Sequence, residues 1–403
     1  VLKGITNLGQ WLTWNEKKQA MEIGEGGTLI FEADQIAEYS NSVYSGNEWI
    51  DAQGRFVSPG FVDSHTHPAF AATREMEFEQ RGQGKTYQEI AAAGGGIRSS
   101  VTALRQIDED KLTELIRLRF DQILASGTTT LEAKSGYGLT LESELKSLRA
   151  ITKAAQGHSI DVHRTFLGAH EVPDEFRDGR EHYIQILVDE MIPAVANAKL
   201  AEYCDVFCEE GVYTIAETRK IARAAQSYGL KIKLHADEFV STGGAQLAVE
   251  IEALSADHLM AVSDAGIRAL AESEVVATLL PGTTFFLGQS QWAPARKLME
   301  AGVTVALASD FNPGSNMAFS MPFIMTLGVI YLHLTPLEVW QAVSINGAKA
   351  LGLQSSVGAL RPGFRADCVI WNCNNYRQVP YFYGVNQVHA VIKSGARVSN
   401  QEE

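Results

Sequence analysis

Between Ser58 and Leu360 the chain alternates short segments rich in β-branched and apolar residues with longer segments patterned as helices, the sequence form of repeated βα units. Strands are predicted over residues 61–67, 128–134, 161–170, 203–209, 231–238, 253–258, 275–281 and 303–310. Helices are predicted over residues 87–93, 108–126, 141–156, 181–192, 214–227 and 261–273. Eight parallel strands with intervening helices predict an α/β fold closed as a (β/α)8 TIM-like barrel. An open doubly wound sheet would need a glycine-rich phosphate loop after its first strand, and that position holds His65 and His67. The flanks carry short alternating strands and turns, such as Gly27-Thr28-Leu29-Ile30-Phe31 and Asp367-Cys368-Val369-Ile370-Trp371, which predict a small β-sandwich built from both chain ends. The expected division is residues 1–57 and 361–403 for the composite β domain and residues 58–360 for the catalytic barrel.

Composition narrows the partners. A chain of 403 residues, 45% hydrophobic, can bury one large core with a small accessory domain. A formal net charge of -14 argues against nucleic acid or an anionic membrane as partner and leaves a small molecule as substrate. An anionic substrate then needs its own local basic residue. Four cysteines, Cys204, Cys208, Cys368 and Cys373, are too few for a disulfide framework and suit a reducing cytoplasm. Cys204 and Cys208 read as buried apolar residues rather than metal ligands, because no Cys/His pair follows at zinc-site spacing. No apolar run approaches membrane-spanning length, and the start, Val1-Leu2-Lys3-Gly4, has no signal-peptide pattern and reads as a trimmed N-terminus. Gly94-Gly95-Gly96 reads either as the hinge of a lid or as a helix stop and turn.

Ionisable residues collect at the predicted C-terminal ends of the strands, where barrel enzymes place their chemistry. His65 and His67 end the first, His170 the third, His235 and Glu238 the fifth, His258 the sixth and Asp310 the eighth. His65 and His67, one residue apart on an extended segment, leave the same side and form a metal half-site. With His235 and Asp310 they supply three imidazoles and a carboxylate, a set that suits one zinc or iron ion with a position open for water. A divalent ion there would bring the water pKa from 15.7 to roughly 7. Asp310 is placed to take that water's proton and return it to a leaving nitrogen, and Glu238, three residues past His235, is a second proton shuttle. His170 and His258 are expected to polarise the carbonyl or steady the water, His170 on the substrate side and His258 in support. Asp237 and Glu209 read as structural carboxylates, with a second ion at Glu209 the alternative.

Ser58-Pro59-Gly60 followed by Phe-Val-Asp-Ser-His-Thr-His resembles the first-strand signature of the amidohydrolase superfamily, which implies a barrel of the metal-dependent hydrolase type. Residues 358–367 resemble that superfamily's return into the small β domain. Binuclear members use a carbamylated lysine ending the fourth strand; here that end reads Phe207-Cys208-Glu209-Glu210, which implies one metal ion. Five further blocks resemble the imidazolonepropionases of histidine degradation: residues 73–78 with Tyr87 and 94–97; 132–139; 165–173; 235–239; and 309–314. That resemblance implies hydrolysis of the cyclic amide of 4-imidazolone-5-propionate to N-formimino-L-glutamate, by a homodimer. It implies a propionate clamp at Arg74, ring contacts at Tyr87, Tyr137 and His170, and loop contacts at Asn312 and Gly314. In the expected reaction water attacks the ring carbonyl, His170 helps to stabilise the oxyanion, and Asp310 or Glu238 protonates nitrogen. Two other readings stay open: an aminohydrolase of the cytosine or guanine deaminase kind, which releases ammonia, and a non-catalytic binding barrel.

Overall fold

The computed structural model describes residues 3–85, 89–90 and 95–400. The chain opens with β1 (Lys3–Thr6), β2 (Gln10–Asn15), β3 (Ala20–Glu25), β4 (Thr28–Glu32), β5 (Gln35–Ser40), β6 (Trp49–Asp51) and β7 (Val57–Pro59). The barrel strands follow: β8 (Phe61–Asp63), β9 (Thr128–Lys134), β10 (Asp161–Ala169), β11 (Tyr203–Cys208), β12 (Lys231–Ala236), β13 (Ser255–His258), β14 (Val276–Leu279) and β15 (Val305–Leu307). The chain returns through β16 (Cys368–Trp371), β17 (Val388–Lys393) and β18 (Ala396–Asn400).

Strands β8 to β15 pair in sequence order, every pair parallel. All seven residues of β9 are buried, as expected of a strand covered on both faces. The seam between β15 and β8 is closed just past the strand ends: Asp310 N donates to His65 O at 2.9 Å and His67 N to Phe311 O at 2.9 Å. The Asp63 carboxylate reinforces it, accepting from Ser309 N at 3.0 Å and Ser309 Oγ at 2.5 Å. Three of the four candidate ligands, His65, His67 and Asp310, therefore sit on the bonds that close the barrel.

The terminal strands form two sheets, a four-stranded β5-β4-β1-β6 and a six-stranded β18-β17-β16-β7-β2-β3. Ile5, Leu29, Phe31 and Ile36 of the first pack with Val57, Cys368, Ile370, Ala390 and Ile392 of the second, giving the sandwich its own core. Both chain ends contribute, as the flank patterns require.

Some of the helices are capped by their own side chains. Asp108 accepts from Lys111 N at the head of Glu109–Ala125, and Thr214 with Glu217 forms a capping box on Ile215–Ser227. The helix predicted over residues 181–192 does not stop before Pro193: Arg180–Ile186 passes through a π turn, Leu187–Met191, into Ile192–Asn197. Predicted helix 87–93 falls largely outside the described residues, and so do Tyr87 and Gly94. No helix among the described residues is long and apolar enough to cross a membrane.

Candidate active site

The parallel ladder stops two or three residues short of several predicted strand ends, and the chain beyond it carries the chemistry. At or just past the strand ends the backbone enters the left-handed region at residues other than glycine: φ is +79° at His258, the last residue of β13, +50° at Asp237 and +51° at Asp310. Such turns aim consecutive side chains in directions a strand cannot.

Buried carboxylates and one amide hold these turns by collecting backbone N–H groups. Glu144 accepts from Gly136, Gly138 and Leu139 at 2.8–3.1 Å, which shapes the loop presenting Tyr137. Glu209 accepts from Glu238, Phe239 and Val240 at 2.8–3.2 Å. Asp237 accepts from the N–H groups of Thr242, Gly243, Gly244 and Ala245 at 2.9–3.1 Å, ahead of the helix Gly244–Glu250. Asn312 does the same for its loop, accepting from Gly314 N and Ser315 N at 2.8 Å while its amide donates to Asp310 O and Oδ1.

His65, His67, His235, His258 and Asp310 converge at the barrel mouth, all buried. Donor atoms of His65, His67 and Asp310 lie within 4.8 Å of one another, as do those of His65, His235 and His258. The Nε2 atoms of His65 and His67 are 3.2 Å apart, and Asp310 Oδ1 is 3.6 Å and 3.4 Å from them. His65 Nδ1 lies 2.6 Å from Asp257 Oδ2, so the ring proton belongs on Nδ1 and Nε2 points a bare lone pair into the cluster. Burial first, then Lys134 and the neighbouring imidazoles, holds His65 well below the usual histidine range; burial first, then His235, does the same for His67. Neutral imidazoles whose lone pairs meet each other and a carboxylate oxygen repel unless a cation lies among them, so these residues fit a divalent metal.

Next to the cluster lies a cleft whose lining includes His67, Tyr137, His170, Glu238, His258 and Asp310 together with Arg74, Gly314 and Ser315. His170 stacks on His67 with ring centroids 5.3 Å apart, and Tyr137 lies 5.3 Å from His170. His170 Nδ1 is 2.9 Å from the Gly136 carbonyl, which only accepts, so Nδ1 carries the proton and Nε2 is an acceptor. Glu238 is pushed well above the usual carboxylate range, by burial first and then by Asp310 and Glu209. Its Oε2 lies 3.6 Å from His258 Nε2. Burial, partly offset by Asp310, takes His258 down to about 3. Thr283 Oγ1 donates to Asp310 Oδ2, which fixes the carboxylate from the side away from the histidines.

Arg74 is a buried guanidinium, its side chain 7% exposed, and its Nη2 is 2.6 Å from Glu77 Oε2. The structure thus brings every described residue of the expected site to one mouth, and Tyr87 lies outside the described residues. It also adds residues that sequence reasoning missed: Glu171 and Phe207 in the cleft wall, Thr283 on Asp310, and the carboxylates Asp205 and Asp257 behind the histidines. Thr283 sits in a helix, Pro281–Phe286, that no pattern announced. The signal for Asp205 and Asp257 was their place inside predicted strands, where a charged residue must be paired.

Residues 56–398 match the profile of the amidohydrolase family. The chain is 46% identical to the imidazolonepropionase of Geobacillus kaustophilus over 96% of this chain and 89% of that protein. It is 49% identical to that of Symbiobacterium thermophilum over 87% of this chain and 83% of that protein. Among solved structures, a triazine hydrolase variant superposes with a TM-score of 0.81 at 16% identity, covering 99% of this chain and 95% of the other. E. coli guanine deaminase superposes with a TM-score of 0.76 at 14% identity, covering 100% of both chains. Those two likenesses concern the fold. The chain belongs to the amidohydrolase family and, within it, to the imidazolonepropionases.

Proposed function

We propose that this chain hydrolyses the ring amide C–N bond of 4-imidazolone-5-propionate, giving N-formimino-L-glutamate, with one divalent ion, zinc or iron, held by His65, His67, His235 and Asp310. The observation that carries the substrate assignment is Arg74, a buried cation in the wall of the cleft that holds the His/Asp cluster. A buried guanidinium there suits a carboxylate-bearing substrate in an otherwise acidic protein. When bound, the ion supplies Lewis acidity that acidifies water and polarises a carbonyl.

The protein's own groups do the rest. Asp310 Oδ1, steered by Asn312 Nδ2 at 3.1 Å and by Thr283 on its other oxygen, takes the proton of the attacking water. Attack falls on the ring carbonyl carbon. As the C–N bond breaks, the nitrogen leaves with a proton from Asp310 or from Glu238, whose burial favours the protonated acid. His170 Nε2 is an acceptor, so it receives a ring N–H of the substrate. An oxyanion needs a donor, so the stabilising role expected of His170 falls to His258. Asn312 has its side chain engaged within its own loop and acts by presenting Gly314. Tyr137 stands on the substrate side of His67 and His170.

The same reading carries a cytoplasmic homodimer. Four free cysteines suit a reducing compartment, and the exposed residues Tyr381, Phe382, Tyr383 and Val385 offer an apolar face for self-association. Light scattering at twice 44.0 kDa tests the dimer. The activity is tested by incubating the purified chain with the imidazolone and following its conversion to the ring-opened acid, one water heavier. An unchanged imidazolone with metal-loaded protein refutes the reading.

A further inference from the structure

The layer of side chains directly beneath the histidines is charged, where a barrel of this kind ordinarily stacks branched aliphatic residues. Glu132, Lys134, Asp205, Lys233 and Asp257 come from β9, β11, β12 and β13, and all are fully buried. Burying five charges is costly, and removing one partner of such a set is worse than never having it. A set like this calls for a purpose.

Its connections converge on two imidazoles. Lys134 Nζ donates to Asp205 Oδ2 at 2.7 Å and to Glu132 Oε1 at 2.8 Å. The same Asp205 Oδ2 lies 3.0 Å from His235 Nδ1, off the ring N–H axis, and its Oδ1 accepts from His235 N at 3.2 Å. One strand pair further on the arrangement repeats. Lys233 Nζ donates to Ser255 Oγ at 2.6 Å and lies 3.4 Å from Asp257 Oδ2, the oxygen bonded to His65 Nδ1. Strand register enforces this, since Asp205 is paired with Lys233 and His235 with Asp257 in the parallel ladders. Each chain of contacts runs lysine, carboxylate, Nδ1, and leaves Nε2 of the ring free to face the cluster.

We propose that Lys134 and Lys233 are positioning residues for metal ligation: each anchors the carboxylate that holds the ring orientation of one ligand histidine, His235 through Asp205 and His65 through Asp257. This rests on the reading of His65, His67, His235 and Asp310 as the metal ligands. Neither lysine touches the cleft, so neither acts on substrate.

The test is the Zn2+ dissociation constant of the full chain, measured by competition with a chromophoric chelator. Lys134→Met and Asp205→Asn are each expected to weaken Zn2+ binding by about 10- to 100-fold, the usual cost of losing a group behind a ligand histidine. The double variant is expected to bind no more weakly than Asp205→Asn alone, because the lysine acts through the carboxylate. A lysine with a merely structural role gives wild-type affinity or an effect that multiplies in full with that of Asp205→Asn, and either result overturns the proposal. If Lys134→Met does not fold, Lys233→Met with Asp257→Asn is judged by the same criteria. If neither lysine variant folds, the isosteric Asp205→Asn and Asp257→Asn decide, and wild-type affinity in both overturns it. His235→Ala separates the two levels: unchanged Zn2+ affinity there means that the metal-site reading, rather than the positioning, has failed.

Discussion

A Cβ on Gly314 would stand 2.3 Å from Nη1 of Arg74, so the glycine is the space that the guanidinium occupies. Arg74 cannot swing away freely, because Glu77 holds its Nη2 at 2.6 Å and is itself fixed by Gly96 N at 2.9 Å. Gly314→Ala is therefore expected to push the guanidinium off its position, and Arg74→Ala to remove it. Loss of a charge-assisted pair is worth about 1.5–3 kcal/mol, so KM for the propionate substrate should rise by about 10- to 100-fold in either variant. An imidazolone without the carboxylate should be little affected. Equal rises in KM for both compounds would take Arg74 out of the carboxylate role.

Asp310→Asn keeps the size of the side chain and removes its basicity. Turnover is expected to fall by about 10²- to 10⁴-fold, the range typical of a positioned acid or base. Metal content should be measured on the same sample, since Asp310 is also a ligand in this account. Near wild-type kcat at full metal content would exclude it as the base.

Glu238→Gln keeps the loop that Glu209 holds through three N–H groups, so the variant should fold normally. A kcat about 10²-fold lower with KM nearly unchanged is expected if Glu238 moves a proton in the rate-limiting step. An unaltered kcat leaves that proton with Asp310.

Metal removal should register in stability as well as in rate. A ligand that binds only the folded state at 1,000 times its dissociation constant adds about 4 kcal/mol, so chelation should lower the melting temperature and Zn2+ or Fe2+ should restore it. Melting that ignores both chelator and metal would contradict a site built on the barrel seam.

Away from the site, Glu217 carries a pH dependence whose sign is defined. Arg180 first, opposed by burial and helped by the Thr214 backbone, lowers its carboxyl to about 2. The unfolded chain therefore binds more protons between pH 4.5 and about 2, so this contribution to stability is present above 4.5 and lost as pH falls through that window. Glu217→Gln should be destabilised at pH 7 by less than about 1 kcal/mol, because the Arg180–Glu217 pair is only partly buried and solvent screens it. The gap from wild type should narrow from pH 5 to pH 3 in thermal melts; a constant gap would show that the capping geometry, not the charge, is what matters.

Much of this was legible in the chain, for physical reasons that can be named. Each of the eight barrel strands announces itself as an apolar run between helical patterns, and Thr128–Lys134 appears with the bounds read for it. Three other strands, Lys231–Ala236, Val276–Leu279 and Val305–Leu307, end two or three residues before their hydropathy patterns do. Lys231–Ala236 stops where Asp237 turns to φ +50°, and a turn built by a non-glycine residue leaves no mark in a hydropathy pattern. Helices such as Ile97–Gln106 and Met321–Ile330 were not foreseen; the second is buried along most of its length and so lacks a polar face to give it a period. The histidines stood out by their positions at strand ends, whereas the charges beneath them did not. In Lys231-Ile232-Lys233-Leu234-His235 the two lysines share a face, yet Lys231 is exposed and Lys233 wholly buried. Alternation reads both as solvent-facing, and only the barrel's closure makes the difference.

The most direct measurement of the central claim is a single reaction of metal-analysed protein with 4-imidazolone-5-propionate, in which the ring-opened acid and ammonia are quantified together. About one zinc or iron per chain is expected, with one N-formimino-L-glutamate for each imidazolone consumed and no ammonia. Turnover that releases ammonia, or ring opening at full rate by metal-free protein, would contradict that claim.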